Sequence, residues 1–223
     1  GTLTIKSGTY TGGLNVVKSE EGSTLNINDG KFVSDYAPKY NVTGTILVYG
    51  TTTIAGGEFV QNSTSTSARV VVTGKVDGYD SITYVNGGSF VNKGSGNIFH
   101  GLGKATSDNF EVSGGTFSTA VPEAYCADGF IPTRNEDGTY GVEVDTSVAE
   151  VNGVKYKTLQ AAIDAAPRKA TVKLLADTKE NVTISTPYVT LDLNGHTLNG
   201  STGERKPALT ITARVTVKDS SEA

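Results

Sequence analysis

A glycine followed two residues later by an aromatic residue recurs through the first half of this 223-residue chain, each time after a short alternating apolar stretch. Successive aromatics are 22, 27, 31 and 27 residues apart. Such spacing suits a solenoid in which every coil keeps its strands while one loop changes length. The five steps are Gly8/Tyr10, Gly30/Phe32, Gly57/Phe59, Gly88/Phe90 and Gly115/Phe117.

Short β-branched runs bounded by Gly, Asn or Asp lie between these steps and predict strands. Parallel coils stacked ~4.8 Å apart bury only a narrow apolar column, which fits an apolar fraction of 36%. We predict an all-β parallel β-helix in which the glycine marks a corner with positive φ and the aromatic points inward. The alternative is an exposed aromatic ladder that stacks on sugar rings. The predicted strands are Thr2–Ile5, Thr24–Ile27, Thr45–Tyr49, Arg69–Thr73 and Ser81–Val85.

The composition changes near residue 120, because residues 1–120 hold 20 of the 27 glycines. We predict three segments: β-helix coils over 1–120, a β-hairpin linker or cap over 121–147, and a capping helix with the first coils of a second β-helix over 148–223. The hairpin is predicted around Asn135–Gly138, which is strong turn chemistry. Apolar residues at i, i+3, i+4 and i+7 predict a helix over Leu159–Ala166 with Thr158 as its N-cap. Further strands are predicted over Ala170–Leu175, Asn181–Ile184, Val189–Leu193 and Ala208–Val217.

Three runs carry a resemblance: V-N-G-V-K-Y-K-T-L-Q-A-A-I-D-A-A-P, T-V-K-L-L-A-D-T-K-E-N-V-T-I and V-T-L-D-L-N-G-H-T-L-N-G. They resemble the N-terminal part of the pectate-lyase-like right-handed parallel β-helix superfamily. With S-G-G-T-F-S and N-E-D-G-T-Y upstream, the chain is similar to repeat modules of large cell-surface proteins of Gram-positive gut bacteria. The resemblance implies a right-handed β-helix, but it leaves the activity open because this fold hosts lyases, hydrolases, esterases and non-catalytic adhesins.

Charge and composition narrow the ligand classes. A net charge of −4 gives no basic field for nucleic acid or an anionic membrane. No apolar run approaches the length of a bilayer span. One cysteine and two histidines supply no local zinc motif, and the cluster Asp77–Asp80 with Asp108 is better interpreted as a turn than as a calcium site. We predict no metal and no cofactor.

Catalytic patterns of the superfamily are incomplete in this chain. Polygalacturonase-like relatives cluster aspartates near a Gly-His-Gly, whereas Asp192 stands alone before Asn194-Gly195-His196. We interpret His196 as a polar residue at a coil corner and His100 as part of a glycine-rich loop, and we expect neither to catalyse a reaction.

Two functional hypotheses remain. The first is a non-catalytic adhesin or binding module, extracellular on a bacterial surface, that binds a host protein such as immunoglobulin or mucin, binds a glycan, or spaces an adhesive tip. The alternative is a carbohydrate-active lyase or hydrolase. Ligand contacts are expected in the loops Asp35–Thr43, Gln61–Ala68 and Asn92–Ser107, with four aromatics predicted to be exposed and to bind: Tyr36, Tyr40, Tyr79 and Phe99.

The chain starts in a predicted strand and stops just after another. We expect it to be a piece of a longer protein whose coils continue beyond both ends. Uncovered strand edges also predict head-to-tail self-association of isolated molecules.

Overall fold

The computed structural model describes residues 1–39, 42–200 and 206–221. It divides into two compact units, 1–145 and 146–223, and each is a stack of β-coils, about seven turns in all. The predicted all-β parallel solenoid with one short helix is confirmed. Its right-handed winding stays a prediction. The hairpin predicted as a linker or cap pairs with the last coil of the first unit, through Tyr140 opposite Phe117.

Unit 1 consists of three sheets, one on each face of the coils. The first sheet comprises Thr2–Ile5, Thr24–Ile27, Thr51–Ile54, Ile82–Val85 and Phe110–Val112. The second comprises Thr9–Thr11, Lys31–Ser34, Glu58–Gln61, Ser89–Asn92 and Thr116–Phe117, followed by the hairpin strands Tyr140–Val144 and Phe130–Arg134. The third comprises Val17–Ser19, Thr43–Val48, Ala68–Lys75 and Phe99–Gly103. Two 3-10 turns, Ser107–Asn109 and Glu123–Tyr125, follow the third sheet along the chain.

The coils pair in parallel with a constant register, so equivalent residues lie directly above one another. Phe32 lies opposite Phe59 and Phe59 opposite Phe90. The antiparallel hairpin then joins the last strand of the second sheet, so its strands end the parallel stacking on that face.

An aromatic ladder runs through the core of unit 1. The rings of Tyr10, Phe32, Phe59, Phe90 and Phe117 stack with centroid separations of 5.0, 4.8, 4.8 and 5.1 Å. The four phenylalanines are at most 1% exposed. The inward interpretation of these side chains is therefore confirmed, while Tyr10 lies at the ladder's exposed end.

In the four steps after the first, the glycine is required by two separate constraints. At Gly57, φ is 110°, a region that favours glycine. A Cβ there would come within 2.9 Å of the Gly30 carbonyl oxygen of the previous coil and 3.3 Å of the Phe59 ring. Glycine therefore lets the chain turn close to the coil below and brings the next aromatic inward.

Unit 2 begins with an antiparallel pair and continues as parallel coils. Its main sheet comprises Val154–Tyr156, Ala149–Val151, Thr171–Leu174, Thr190–Asp192 and Thr216–Lys218. Two smaller parallel pairs are Thr178–Lys179 with Leu198–Asn199 and Val182–Ile184 with Leu209–Ile211. These strands enclose a second apolar core around Val172, Leu174, Ile184 and Leu191.

The helix α1 spans Leu159–Ala165 and covers this core with Leu159, Ala162 and Ile163. Two side chains accept hydrogen bonds from the free N–H groups at its N-terminus. The Thr158 hydroxyl accepts a hydrogen bond from the Ala161 N–H at 3.2 Å, as predicted. The Glu180 carboxylate accepts from the N–H groups of Leu159 and Gln160 at 2.8 and 3.1 Å, an arrangement that the helix dipole favours.

Phe59→Ala is expected to lower the free energy of unfolding by ~3–5 kcal/mol, because it leaves a cavity between two stacked rings. Urea denaturation followed by circular dichroism measures the change. Tyr10→Ala, at the exposed end of the same ladder, is the matched control and should cost clearly less. A loss below ~1 kcal/mol for Phe59→Ala would contradict the buried ladder.

Candidate functional site

A pocket of about 230 Å³ lies beside the third sheet of unit 1, where two successive coils carry loops. Its walls are mostly apolar. They are formed by Leu14, Pro38, Val42 and Leu47, together with the polar residues Asn15, Tyr36, Lys39 and Thr43.

Coil stacking brings the two sides of this pocket together. The Asn15 Nδ2 donates to the Gly44 carbonyl at 2.7 Å, and the Val16 N–H donates to the Thr45 carbonyl at 2.9 Å. The segment around Leu14 is thereby fixed against the start of the strand Thr43–Val48. The positions of Leu14 and Leu47 follow from register rather than from any local motif.

The loop that carries Tyr36 is held by the next coil. The Asn62 Nδ2 donates to the Asp35 carboxylate at 2.7 Å, and the Ser65 hydroxyl donates to the Pro38 carbonyl at 2.8 Å. These bonds hold the Asp35 side chain and the Pro38 backbone, on either side of Tyr36. Because the loop is anchored, its aromatic ring is offered to a ligand at a small cost in ordering entropy.

The chemistry of the pocket suits a small, partly apolar ligand group. The side chains of Leu14 and Tyr36 are 52% and 42% exposed and provide apolar contact area. The Thr43 hydroxyl is buried and has no hydrogen-bond partner among the described residues. Apolar walls with a few polar groups are typical of ligand pockets. The volume is enough for one amino-acid side chain or one sugar unit, since drug-sized ligands need about 300 Å³ or more.

The three predicted ligand-binding aromatics that the structure describes are not brought together. Tyr36 lines the pocket. Tyr79 is also exposed, at 50%, but its ring lies against Gly22, 3.5 Å from where a Cβ would stand. Tyr40 lies outside the described residues.

The prediction that Phe99 is exposed is wrong. It is 3% exposed, and its ring packs 5.5 Å from Phe117 and 5.7 Å from Phe110. The predicted loop Asn92–Ser107 contains the strand Phe99–Gly103, which pairs in parallel with Val71–Lys75. The glycines of this segment suggested a loop, but pairing with the coil below decides its conformation. His100 therefore lies in a strand rather than in a loop.

The two histidines lie in different surroundings. Burial, with a smaller contribution from the charge of Arg69, lowers the pKa of His100. The His196 Nδ1 is 3.7 Å from the Asp177 carboxylate, which is exposed. The backbone N–H of His196 donates to the Leu193 carbonyl in a turn, as expected for a coil corner. Among the described residues, no three His, Cys, Asp or Glu side chains converge as metal ligands do.

Cys126 is half-buried. Desolvation, and then the Glu123 carboxylate, raise the pKa of this thiol to about 11. A thiol with so high a pKa is almost entirely protonated at neutral pH, so it is a poor nucleophile.

Asp192 is a buried carboxylate of unit 2. It is 3% exposed. Its Oδ1 accepts from the N–H groups of Ser220 and Asn194 at 2.9 and 3.1 Å, and its Oδ2 is 3.0 Å from the Lys218 Nζ. The hydrogen bonds from Ser220, then the Lys218 ammonium and the Asn194 N–H, hold the pKa of this carboxyl well below its usual range despite burial. Asp192 thus joins two successive coils.

Comparison of the chain with protein-family models, with curated proteins and with solved structures found no match. The likeness to Gram-positive surface repeats therefore rests on the motifs quoted above. None of the helices among residues 1–39, 42–200 and 206–221 is both long enough and apolar enough to span a bilayer.

Asp192→Asn is expected to reduce the free energy of unfolding at pH 7 by about 2–3 kcal/mol, because charged hydrogen bonds between coils are lost. A lowered folded-state pKa stabilises the fold above the usual value of ~3.9 and loses this contribution as the pH falls. The variant should therefore be less sensitive to acid than the wild type between about pH 5 and pH 2. Urea unfolding across that range measures both effects.

Asp164→Asn is the matched control, because the exposed Asp164 accepts only from the Gln160 Nε2 among the described residues. It should change stability by less than about 0.5 kcal/mol. An unchanged acid dependence in Asp192→Asn would contradict the role assigned to this carboxylate.

Proposed function

We propose that the chain is a non-catalytic, extracellular binding module of a bacterial cell-surface protein, and that it binds a host protein or glycan through the Tyr36 pocket. The observation that carries this proposal is an exposed aromatic on an anchored loop beside an apolar pocket. Rigid scaffolds commonly display recognition groups in this way.

Several features support a binding role over a catalytic one. The carboxylate closest to a polygalacturonase-like motif, Asp192, is occupied by hydrogen bonds between coils. His196 belongs to a turn, and His100 is in a strand with a lowered pKa. These groups serve the solenoid, whereas Leu14 and Tyr36 expose apolar area beside the pocket.

The assignment to a Gram-positive cell surface rests on the sequence resemblance and on the repeat architecture. A solenoid of stacked coils can hold a binding loop away from a surface, which suits an adhesin. We also propose that isolated molecules associate head to tail through their end coils.

The ligand can be sought with a glycan array and with immobilised mucin and immunoglobulin. For whichever ligand binds, Tyr36→Ala should weaken affinity at least tenfold, because aromatic anchors often contribute more than about 1.4 kcal/mol. Tyr79→Ala, which removes an equally exposed ring outside the pocket, should change affinity less than twofold.

The proposal fails if both variants bind like the wild type, or if Tyr79→Ala has the larger effect. Release of reducing ends or unsaturated uronates from a polysaccharide panel would instead establish the carbohydrate-active alternative.

A further inference from the structure

One corner of unit 2 places cationic and aromatic side chains in a single column. Thr171, Thr190 and Thr216 lie in register in three successive coils. The residues two positions before them are Lys169, Tyr188 and Arg214. These three residues therefore occupy equivalent positions on neighbouring coils, and Arg168 directly precedes the first of them.

The side chains of this corner are in contact. The Arg168 guanidinium carbon lies 4.4 Å from the Tyr188 ring centroid, and that of Arg214 lies 5.7 Å from it. Both distances are within the range of cation–π attraction. The contact orients two guanidinium groups around one ring. All four side chains of this corner, Arg168, Lys169, Tyr188 and Arg214, are exposed.

The backbone of the corner is held in an unusual conformation. Lys169 and Tyr188 have φ values of 69° and 64°, which is uncommon for residues with side chains. The Ala170 N–H donates to the Pro167 carbonyl at 3.0 Å, and the Tyr188 N–H donates to the Arg214 carbonyl at 2.5 Å. These bonds fix the directions in which the side chains leave the coils.

The cations have no carboxylate partner within the part of the chain that the structure describes. Asp164, four residues before Arg168, instead accepts from the Gln160 Nε2 at 2.8 Å. The charge balance of the surrounding unit also favours the binding of an anion. Residues 146–223 carry 10 Lys and Arg against 8 Asp and Glu, whereas residues 1–145 carry 9 against 15. Within the described residues, the corner is thus an exposed group of three cations without a carboxylate partner, in the basic part of an acidic chain.

We propose that the corner formed by Arg168, Lys169, Tyr188 and Arg214 binds the anionic groups, carboxylate or sulfate, of a linear glycan. Arginine pairs with planar or tetrahedral oxyanions through two parallel N–H bonds. The contact with Tyr188 pre-orients both guanidiniums, so less freedom is lost when an anion binds.

The pitch of the corner favours a glycan over an acidic peptide. Successive coils are ~4.8 Å apart, which is close to the length of one sugar unit in an extended chain. Side chains on one face of an extended peptide recur only every ~6.7 Å. Tyr188 holds the middle coil, so the cations of the first and third coils are ~9.6 Å apart, which matches two sugar units better than the ~6.7 Å spacing of alternate peptide residues.

This site lies in a different unit from the Tyr36 pocket and does not depend on the function proposed there. It can be tested on the full chain with three polymers that share one backbone: carboxymethyl-dextran, dextran sulfate and uncharged dextran. Binding is measured by calorimetry at about 50 mM and about 500 mM salt, since screening weakens exposed charge pairs. We expect at least one anionic polymer to bind, weakening with salt, and uncharged dextran not to bind.

The double variant Arg168→Gln/Arg214→Gln should weaken this binding at least tenfold. The control Lys173→Gln/Lys179→Gln removes the same charge from two exposed lysines of the same unit and should weaken it less than twofold. Arg168→Lys/Arg214→Lys keeps the charge without the planar fork and should lose at least threefold. Equal unfolding midpoints in urea confirm that each variant is folded.

The proposal is overturned if Arg168→Gln/Arg214→Gln and the control Lys173→Gln/Lys179→Gln lose affinity equally, because binding would then follow net charge alone. It is also overturned if polyglutamate binds as tightly as the anionic dextrans, or if neither anionic dextran binds. Tyr36→Ala should leave dextran binding unchanged, so failure of this site and failure of the Tyr36 pocket are distinguishable.

Discussion

Parallel backbone pairing between coils is the interaction on which the whole structure depends. It fixes the register, and the register places like side chains above one another. Phe59 meets Phe32 and Phe90 at 4.8 Å because the backbones below them repeat at the same distance. A narrow column of this kind buries enough apolar surface only if every coil contributes its ring at the same position. Glycine at the preceding corner makes this possible, since Gly57 turns where a Cβ would strike the Gly30 carbonyl.

The same register builds both candidate sites. Residues far apart in the chain become neighbours when they hold equivalent positions on adjacent coils, as with Tyr188 and Arg214. Loops that project beside the coils meet in the same manner around the Tyr36 pocket, where Asn62 holds Asp35 from the next coil. The core can remain constant while each coil offers different side chains at its corners and loops.

Local sequence signals predicted the parts of the fold that depend on local chemistry. The glycine corners, the Thr158 cap and the hairpin at Asn135–Gly138 each follow from a few adjacent residues. Phe99 was misplaced because its glycine-rich surroundings look like a loop, whereas pairing with Val71 makes it a buried strand residue. The binding of Asp192 to Ser220, 28 residues away, and the corner at Tyr188 depend on coil lengths that no motif specifies. Tyr36 was predicted from its place in a loop between coils, but the position of Leu14 in the same pocket needs the three-dimensional register.

The direction of the interstrand hydrogen bonds has a mechanical consequence for unit 1. These bonds point from coil to coil, and the strands run across that direction. Tension applied along the stack therefore loads one coil boundary after another, instead of shearing a whole sheet at once. Each coil that peels away would lengthen the chain by the residues of one repeat, between 22 and 31. A stack of this design yields stepwise under load, and the coils that remain keep their rings and their register.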